Sequence, residues 1–204
     1  MPAMKYIIAG LGNPGEKYEN TRHNAGRIAL DYIRNECEEE FEFDKKLNAL
    51  VANVEIGIGK SKVKTTLVAP ETFMNNSGKA VGQLVKNKKM AEGLVVIYDD
   101  FNLPLGRVKI SYNRSSGGHN GLESIIKAVK TEAFTRIRIG TAPANSKGEA
   151  KVPHGDDKIE KFILGKFKED ELKVLKKIAE KASNAVEMIV ADGREKAMSV
   201  FNAG

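Results

Sequence analysis

The sequence has no tryptophan, one cysteine, six prolines and only 6% aromatic residues among its 204 positions. The lone Cys37 excludes an intrachain disulfide and any site assembled from several thiolates, such as structural zinc or an iron–sulfur cluster. A reducing, cytoplasmic setting is the expectation. Long hydrophobic runs are also missing: no stretch approaches the roughly 20 apolar residues of a membrane-spanning helix. The start, Met1-Pro-Ala-Met-Lys5, lacks the apolar core and cleavage site of a signal peptide, and Met4 is an alternative first residue. The three histidines, His23, His119 and His154, do not have the spacing of an H-E-x-x-H helix. No metal and no cofactor is therefore expected. No G-x-S-x-G elbow is present either, and Cys37 lies among Glu36, Glu38, Glu39 and Glu40, which raise a thiol's pKa instead of activating it.

What remains is 41% hydrophobic, enough to bury one core, so residues 1–204 read as a single domain. Lys and Arg number 33 against 27 Asp and Glu, a formal charge of +6. The surplus is not evenly spread. Residues 1–102 hold 14 basic and 14 acidic side chains, residues 103–204 hold 19 and 13. A basic face on part of a globular protein is compatible with a polyanionic partner such as a phosphate backbone.

The apolar run Tyr6–Ala9 reads as a buried first strand closed by the turn Gly10-Leu-Gly-Asn-Pro-Gly15. A helix follows from about Asn24, with Thr21 or Asn24 as its cap, and ends in a solvated acidic stretch over residues 36–42. Residues 50–56 and 63–68 form a hairpin around the glycine-containing segment 57–61. Residues 79–89 look helical, and Leu94–Tyr98 is the most apolar run, hence a central strand with Asp99 and Asp100 at its carboxyl end. Residues 107–112 and 134–141 are strands, 119–130 a helix, 142–155 a loop, and a long helix closes the chain. This alternation predicts an α/β fold: a mixed, twisted β-sheet flanked by helices on both faces. Ligands bind such sheets at the carboxyl ends of central strands, which points to the turns after Ala9 and Tyr98.

Gly10, Gly12 and Gly15 satisfy a G-x-G-x-x-G fingerprint, but Pro14 interrupts it and the polar stretch 16–22 delays the helix that would receive a pyrophosphate. A nucleotide cofactor is set aside. Asn13 in that turn carries a donor and an acceptor for a ligand amide, although the segment taken alone favours a turn asparagine chosen for its backbone tolerance. His23 sits at a helix start near the first strand's end, within reach of Asp99; a carboxylate beside an imidazole fixes its tautomer and stabilises its protonated form, as a general base requires. Phe73-Met-Asn-Asn-Ser-Gly78 and Ser115-Ser-Gly-Gly-His-Asn-Gly121 add amides at loops before helices, with Asn120 near a helix N-terminus.

In order along the chain, Gly10–Gly15, Tyr18, Thr21-Arg-His-Asn-Ala-Gly26, Phe73–Gly78, Tyr98-Asp-Asp100, Leu103-Pro-Leu-Gly106 and Gly117-Gly-His-Asn-Gly121 resemble the bacterial-type peptidyl-tRNA hydrolases. The match runs from about Met4 to at least Gly140. The resemblance implies a monomeric, metal-free, single α/β domain that cleaves the ester between peptide and 3′ ribose and so recycles tRNA released prematurely from ribosomes. It implies His23 as general base, Asp99 as its carboxylate, Asn13 as the residue sensing a blocked amine, and Tyr18, Phe73, Asn75 and Asn120 as substrate-binding. Asn75 or Asn120 would steady the oxyanion. Lys109, Arg136, Arg138 and the lysines of the last helix are the expected phosphate contacts. His119 matches a family histidine and is expected to support the site from behind the reacting groups or to be structural, with no catalytic role. Two places depart from the family: Gly140–Ser146 lacks the usual pattern, and Asn102 stands where an acid is common. The rival reading is a non-catalytic RNA-binding protein on the same fold, against which intact His23, Asp99, Asn13 and Asn75 speak.

Overall fold

The computed structural model describes residues 5–58 and 61–203, the side chains of Ile58 and Ser61 excepted. The expectations about the first residues and about the hairpin tip at 59–60 lie outside them. In chain order the elements are β1 (Tyr6–Gly10), α1 (Ala25–Glu36), β2 (Glu42–Asp44), β3 (Ala49–Ile58), β4 (Ser61–Pro70), α2 (Gly78–Leu84), α3 (Lys88–Ala91), β5 (Leu94–Pro104), β6 (Val108–Tyr112), α4 (Asn120–Val129), β7 (Thr135–Ala142), α5 (Asp156–Ile163), α6 (Glu169–Asp192) and α7 (Arg194–Asn202). The strands form one sheet in the order β2-β3-β4-β1-β5-β7-β6. β1, β4, β5 and β7 run parallel, while β2, β3 and β6 pair antiparallel at the two sides.

The alternation of side chains along each strand sorts the core into two layers. Ile8, Leu67, Val95, Ile97, Ile137 and Ile139 pack against α1 and α6. Ile7, Ala9, Val68, Val96 and Tyr98 pack against α2 and α4. Helices thus cover both faces of a mixed sheet, as the sequence predicts.

Five local expectations are corrected. β5 runs on to Pro104, so Asp99 and Asp100 lie within the strand, opposite Ile139 and Gly140 of β7. The acidic stretch after α1 runs into the short edge strand β2 at Glu42, and the helical segment after Gly78 divides into α2 and α3. The terminal helix breaks at Gly193, whose φ of 91° ends α6 before α7 begins. Beyond the mobile-loop reading of 142–155 stands α5, signalled by Ile159, Phe162 and Ile163 at helical spacing behind Asp156 and Asp157 in its first turn.

One glycine governs how the first helix meets the sheet. A Cβ on Gly26 would lie 2.1 Å from the carbonyl oxygen of Ile97, so α1 approaches β5 more closely than any side chain permits. That contact sets the turn before α1 directly above the carboxyl half of β5.

Candidate active site

The turn before α1 is a single 3-10 turn, Arg22–Asn24, with all three residues buried. Neither Thr21 nor Asn24 caps α1 with its side chain, contrary to expectation. The reason is that both are engaged elsewhere. Asn24 accepts from the backbone N–H of Asn13 at 2.9 Å and donates to the carbonyl of Asn13 at 2.9 Å, while Thr21 donates to the carbonyl of Tyr18 at 2.8 Å. Asn24 thereby ties the glycine turn after β1 to the turn carrying His23.

Arg22 anchors that turn from the other side. Its guanidinium donates to both carboxylate oxygens of Glu171 at 2.9 and 2.8 Å and to the carbonyls of Gly165 and Lys166 at 3.3 and 2.9 Å. It also lies over the rings of Phe162 and Phe167 at 4.7 and 5.2 Å. The join between α5 and α6 is therefore fastened to the residue preceding His23.

His23 Nδ1 lies 2.8 Å from Asp99 Oδ1. The same oxygen lies 3.0 Å from His119 Nε2. The proton positions follow from the partners. His119 is the N-cap of α4, and its Nδ1 accepts from the backbone N–H groups of Gly121 and Leu122 at 3.2 and 3.3 Å, so its proton is on Nε2 and is donated to Asp99. His23 donates through Nδ1, and its Nε2 has no protein partner among the described residues. His119 thus stands behind His23, sharing the Asp99 carboxylate with it. Tyr98 packs edge-on against His119 at 4.9 Å, and burial foremost pushes its hydroxyl up to about 12, so it stays neutral.

Asp99 is buried. Burial alone would raise its pKa, but the charges of His23 and His119 and their hydrogen bonds reverse that and hold the carboxyl well below the usual carboxylate range. Burial pulls His23 down, while the Asp99 charge and hydrogen bond together outweigh it and leave the imidazole above its ordinary value. The ligand atoms of His23, Asp99 and His119 lie within 4.8 Å of one another, a spacing that suits a metal ion. Both histidine nitrogens facing Asp99 carry protons, however, so the three groups form a hydrogen-bonded assembly in which a cation would have to displace two protons.

A cleft of about 580 Å³ opens over this assembly. Asn13, Tyr18, His23, Phe73, Asn75, Asp99 and Asn120 all line it, as do His119 and, from α5, Ile159, Ile163 and Leu164. Phe73 is 58% exposed and meets Tyr18 edge to face at 6.3 Å. The Oδ1 of Asn13 accepts from the backbone N–H of Met74 at 2.8 Å, and its two amide N–H donors have no protein partner among the described residues.

Lys109 is exposed and lies apart from this cleft, in an adjoining groove of about 490 Å³ with Arg114 and Arg138; Asp99, Phe101 and His119 form the wall between the two. Arg138 is held by Asp100 at 2.7 Å. Arg136 is no phosphate contact: it is fully enclosed, stacked 4.4 Å from the Phe134 ring. Residues 134, 136 and 138 share one face of β7, and α4 covers the face at the end near Arg136.

A carboxylate holding an imidazole, whose far nitrogen opens on a cleft with amide donors and apolar walls, is an arrangement suited to a hydrolase on an α/β sheet. The comparisons agree. Residues 7–204 match the family model described as peptidyl-tRNA hydrolase. Relatives of that name include one from Thermoanaerobacter sp., 41% identical over 203 residues, 97% of this chain and 99% of the relative. Another, from Prochlorococcus marinus, is 38% identical over 202 residues, 97% and 93% of the two chains. The crystal structure of peptidyl-tRNA hydrolase from Acinetobacter baumannii superposes with a TM-score of 0.83 at 26% identity, covering 98% of this chain and 96% of that one. The chain belongs to the peptidyl-tRNA hydrolase family and is an enzyme of that class.

Proposed function

We propose that His23 is the general base of peptidyl ester hydrolysis and Asp99 the group that orients and charges it. Water attacks the ester carbonyl as His23 Nε2 takes its proton. The tetrahedral oxyanion collapses, the bond to the 3′ ribose oxygen breaks, and the same proton passes to that oxygen, leaving free tRNA and a peptide carboxylic acid that gives its proton to solvent. The single observation that carries this reading is the 2.8 Å bond from His23 Nδ1 to Asp99, which turns an unpartnered Nε2 to the cleft. His119 holds the second hydrogen bond to Asp99 and keeps its charge aimed at both rings.

Asn13, Asn75 and Asn120 supply donors around the reacting carbonyl. Because the acceptor of Asn13 is committed to Met74, its free N–H groups favour a carbonyl oxygen and meet a free α-ammonium donor against donor. That is a physical basis for preferring a blocked amine. Tyr18 and Phe73 present aromatic surface to the substrate end, and the groove with Lys109, Arg114 and Arg138 takes tRNA phosphates by charge and shape, not by base sequence. The protein acts as a single-domain monomer in the cytoplasm, without a metal, and returns tRNA from prematurely released peptidyl-tRNA.

The test is release of tRNA from N-acetylated aminoacyl-tRNA, with the unblocked ester, the His23→Ala protein and a chelator as controls. Cleavage of only the blocked ester, by only the unsubstituted protein, is expected. Activity retained by His23→Ala, or lost in the chelator, would overturn these assignments.

A further inference from the structure

We propose that the α5 wall of the catalytic cleft makes the enzyme prefer peptides with basic side chains close to the ester, through Asp156 and Glu160. The proposal deepens the reading above and rests on it. On that wall Ile159, Ile163 and Leu164 form an apolar strip facing Tyr18 and Phe73, and the carboxylates of Asp156 and Glu160 line the same cleft. Both carboxylates are exposed, and neither has an ion-pair partner among the described residues. The two lysines of α5, Lys158 and Lys161, do not line the cleft.

The reacting centre therefore stands between surfaces of opposite sign. Beyond Asp99 and His119 lies the groove with Lys109, Arg114 and Arg138; on the α5 side lie two carboxylates. A polyphosphate chain is attracted to the first and repelled by the second, which leaves the α5 side to the peptide. A lysine or arginine there can lay its methylene stem on the Ile159–Ile163 strip and bring its charge to Asp156 or Glu160. A glutamate in the same place meets like charge. The protein as a whole carries +6, which works against cationic ligands, so a preference for basic peptides can only come from these local groups.

The experiment compares three esters on one tRNA: N-acetyl-Lys-Lys-Ala, N-acetyl-norleucyl-norleucyl-Ala and N-acetyl-Glu-Glu-Ala. At low salt kcat/KM should fall in that order, by about three- to tenfold from first to last, with the difference in KM and compressed by high salt. In the double variant Asp156→Asn, Glu160→Gln the ratio should fall to about one. Lys158→Gln should leave it unchanged. Both substitutions are near-isosteric at exposed helix positions, and circular dichroism checks that α5 stays folded. Equal kcat/KM for the three esters, or discrimination that survives the double variant, overturns the proposal while leaving the hydrolase assignments intact. Failure to cleave even the norleucine ester overturns the underlying reading of the cleft, and the proposal with it.

Discussion

Replacing Asp99 with Asn keeps the size of the side chain and an oxygen able to accept from both histidines, and removes only the charge. The imidazolium that forms as His23 takes a proton from water then loses a carboxylate 2.8 Å away. With the charge centres about 4 Å apart and an effective dielectric of about 20, that attraction is about 4 kcal/mol, or roughly a thousandfold in rate. The amide dipole retains part of it, so kcat should fall by about 10²- to 10³-fold.

The pH profile separates this cause from mere damage. His23 must be neutral to act as a base, so activity rises with pH through its pKa, which in the native enzyme lies above the ordinary value of 6.5. With the charge gone only a neutral hydrogen bond opposes burial, which lowers the pKa. The acid limb of the variant should therefore move to lower pH while its plateau drops. Single-turnover cleavage of N-acetyl-aminoacyl-tRNA between about pH 5 and 9 reads both quantities. An unmoved or raised limb, or an undiminished plateau, would refute the account of Asp99. Stability carries the matching signature. The raised His23 pKa contributes fully below 6.5 and is lost as pH rises through the folded value; the depressed Asp99 pKa contributes above 3.8 and is lost as pH falls through its folded value. The stability gap between native and Asp99→Asn proteins should be widest between those two pH values.

Three further outcomes are expected. Asn13→Asp keeps the acceptor for Met74 but puts a carboxylate where two donors faced the cleft, so turnover should drop at least tenfold with thermal stability nearly kept; loss of both together would mean that Asn13 serves the fold alone. Gly26→Ala forces a Cβ to 2.1 Å from the carbonyl of Ile97, and urea unfolding should show a loss of about 3 kcal/mol or more. Lys109→Ala should weaken tRNA binding, reduce the salt slope of log Kd by about one unit and spare turnover at saturation; an unchanged slope would remove Lys109 from the phosphate path.

Much of this architecture was legible because near-continuous apolar runs mark strands buried on both faces, as β1, β4, β5 and β7 are, and period-3.6 patterns mark the helices that cover them. Where the pattern is weak, the reading failed. β2 has three residues on a sheet edge, and its burial pattern, two exposed and one intermediate, offers no alternation to read. α5 buries none of its eight residues, because its apolar side chains serve the cleft and not the core. Arg136 read as a surface cation because its charge is visible in sequence and its neighbours across the sheet are not; only the pairing of β7 between β5 and β6, with Phe134 beneath the guanidinium, encloses it.

The site shows the same division between composition and placement. Asn13 after β1, His23 before α1 and Asp99 on β5 were recognisable as chemical types, and the fold brings β1 and β5 side by side. The part that escaped is orientation. Nothing local says that Asn13 spends its acceptor on Met74 N–H, that Asn24 holds the backbone of Asn13 instead of capping α1, or that His119 caps α4 with one nitrogen and reaches Asp99 with the other. The bond from Met74 N–H to Asn13 spans 61 residues and that from His119 to Asp99 spans 20, so both form only once the fold brings those segments together. Yet they determine which atoms remain free: Nε2 on His23 and the two N–H donors on Asn13. A buried polar group must find a partner, so the chemistry left over for substrate is whatever the fold has not already satisfied.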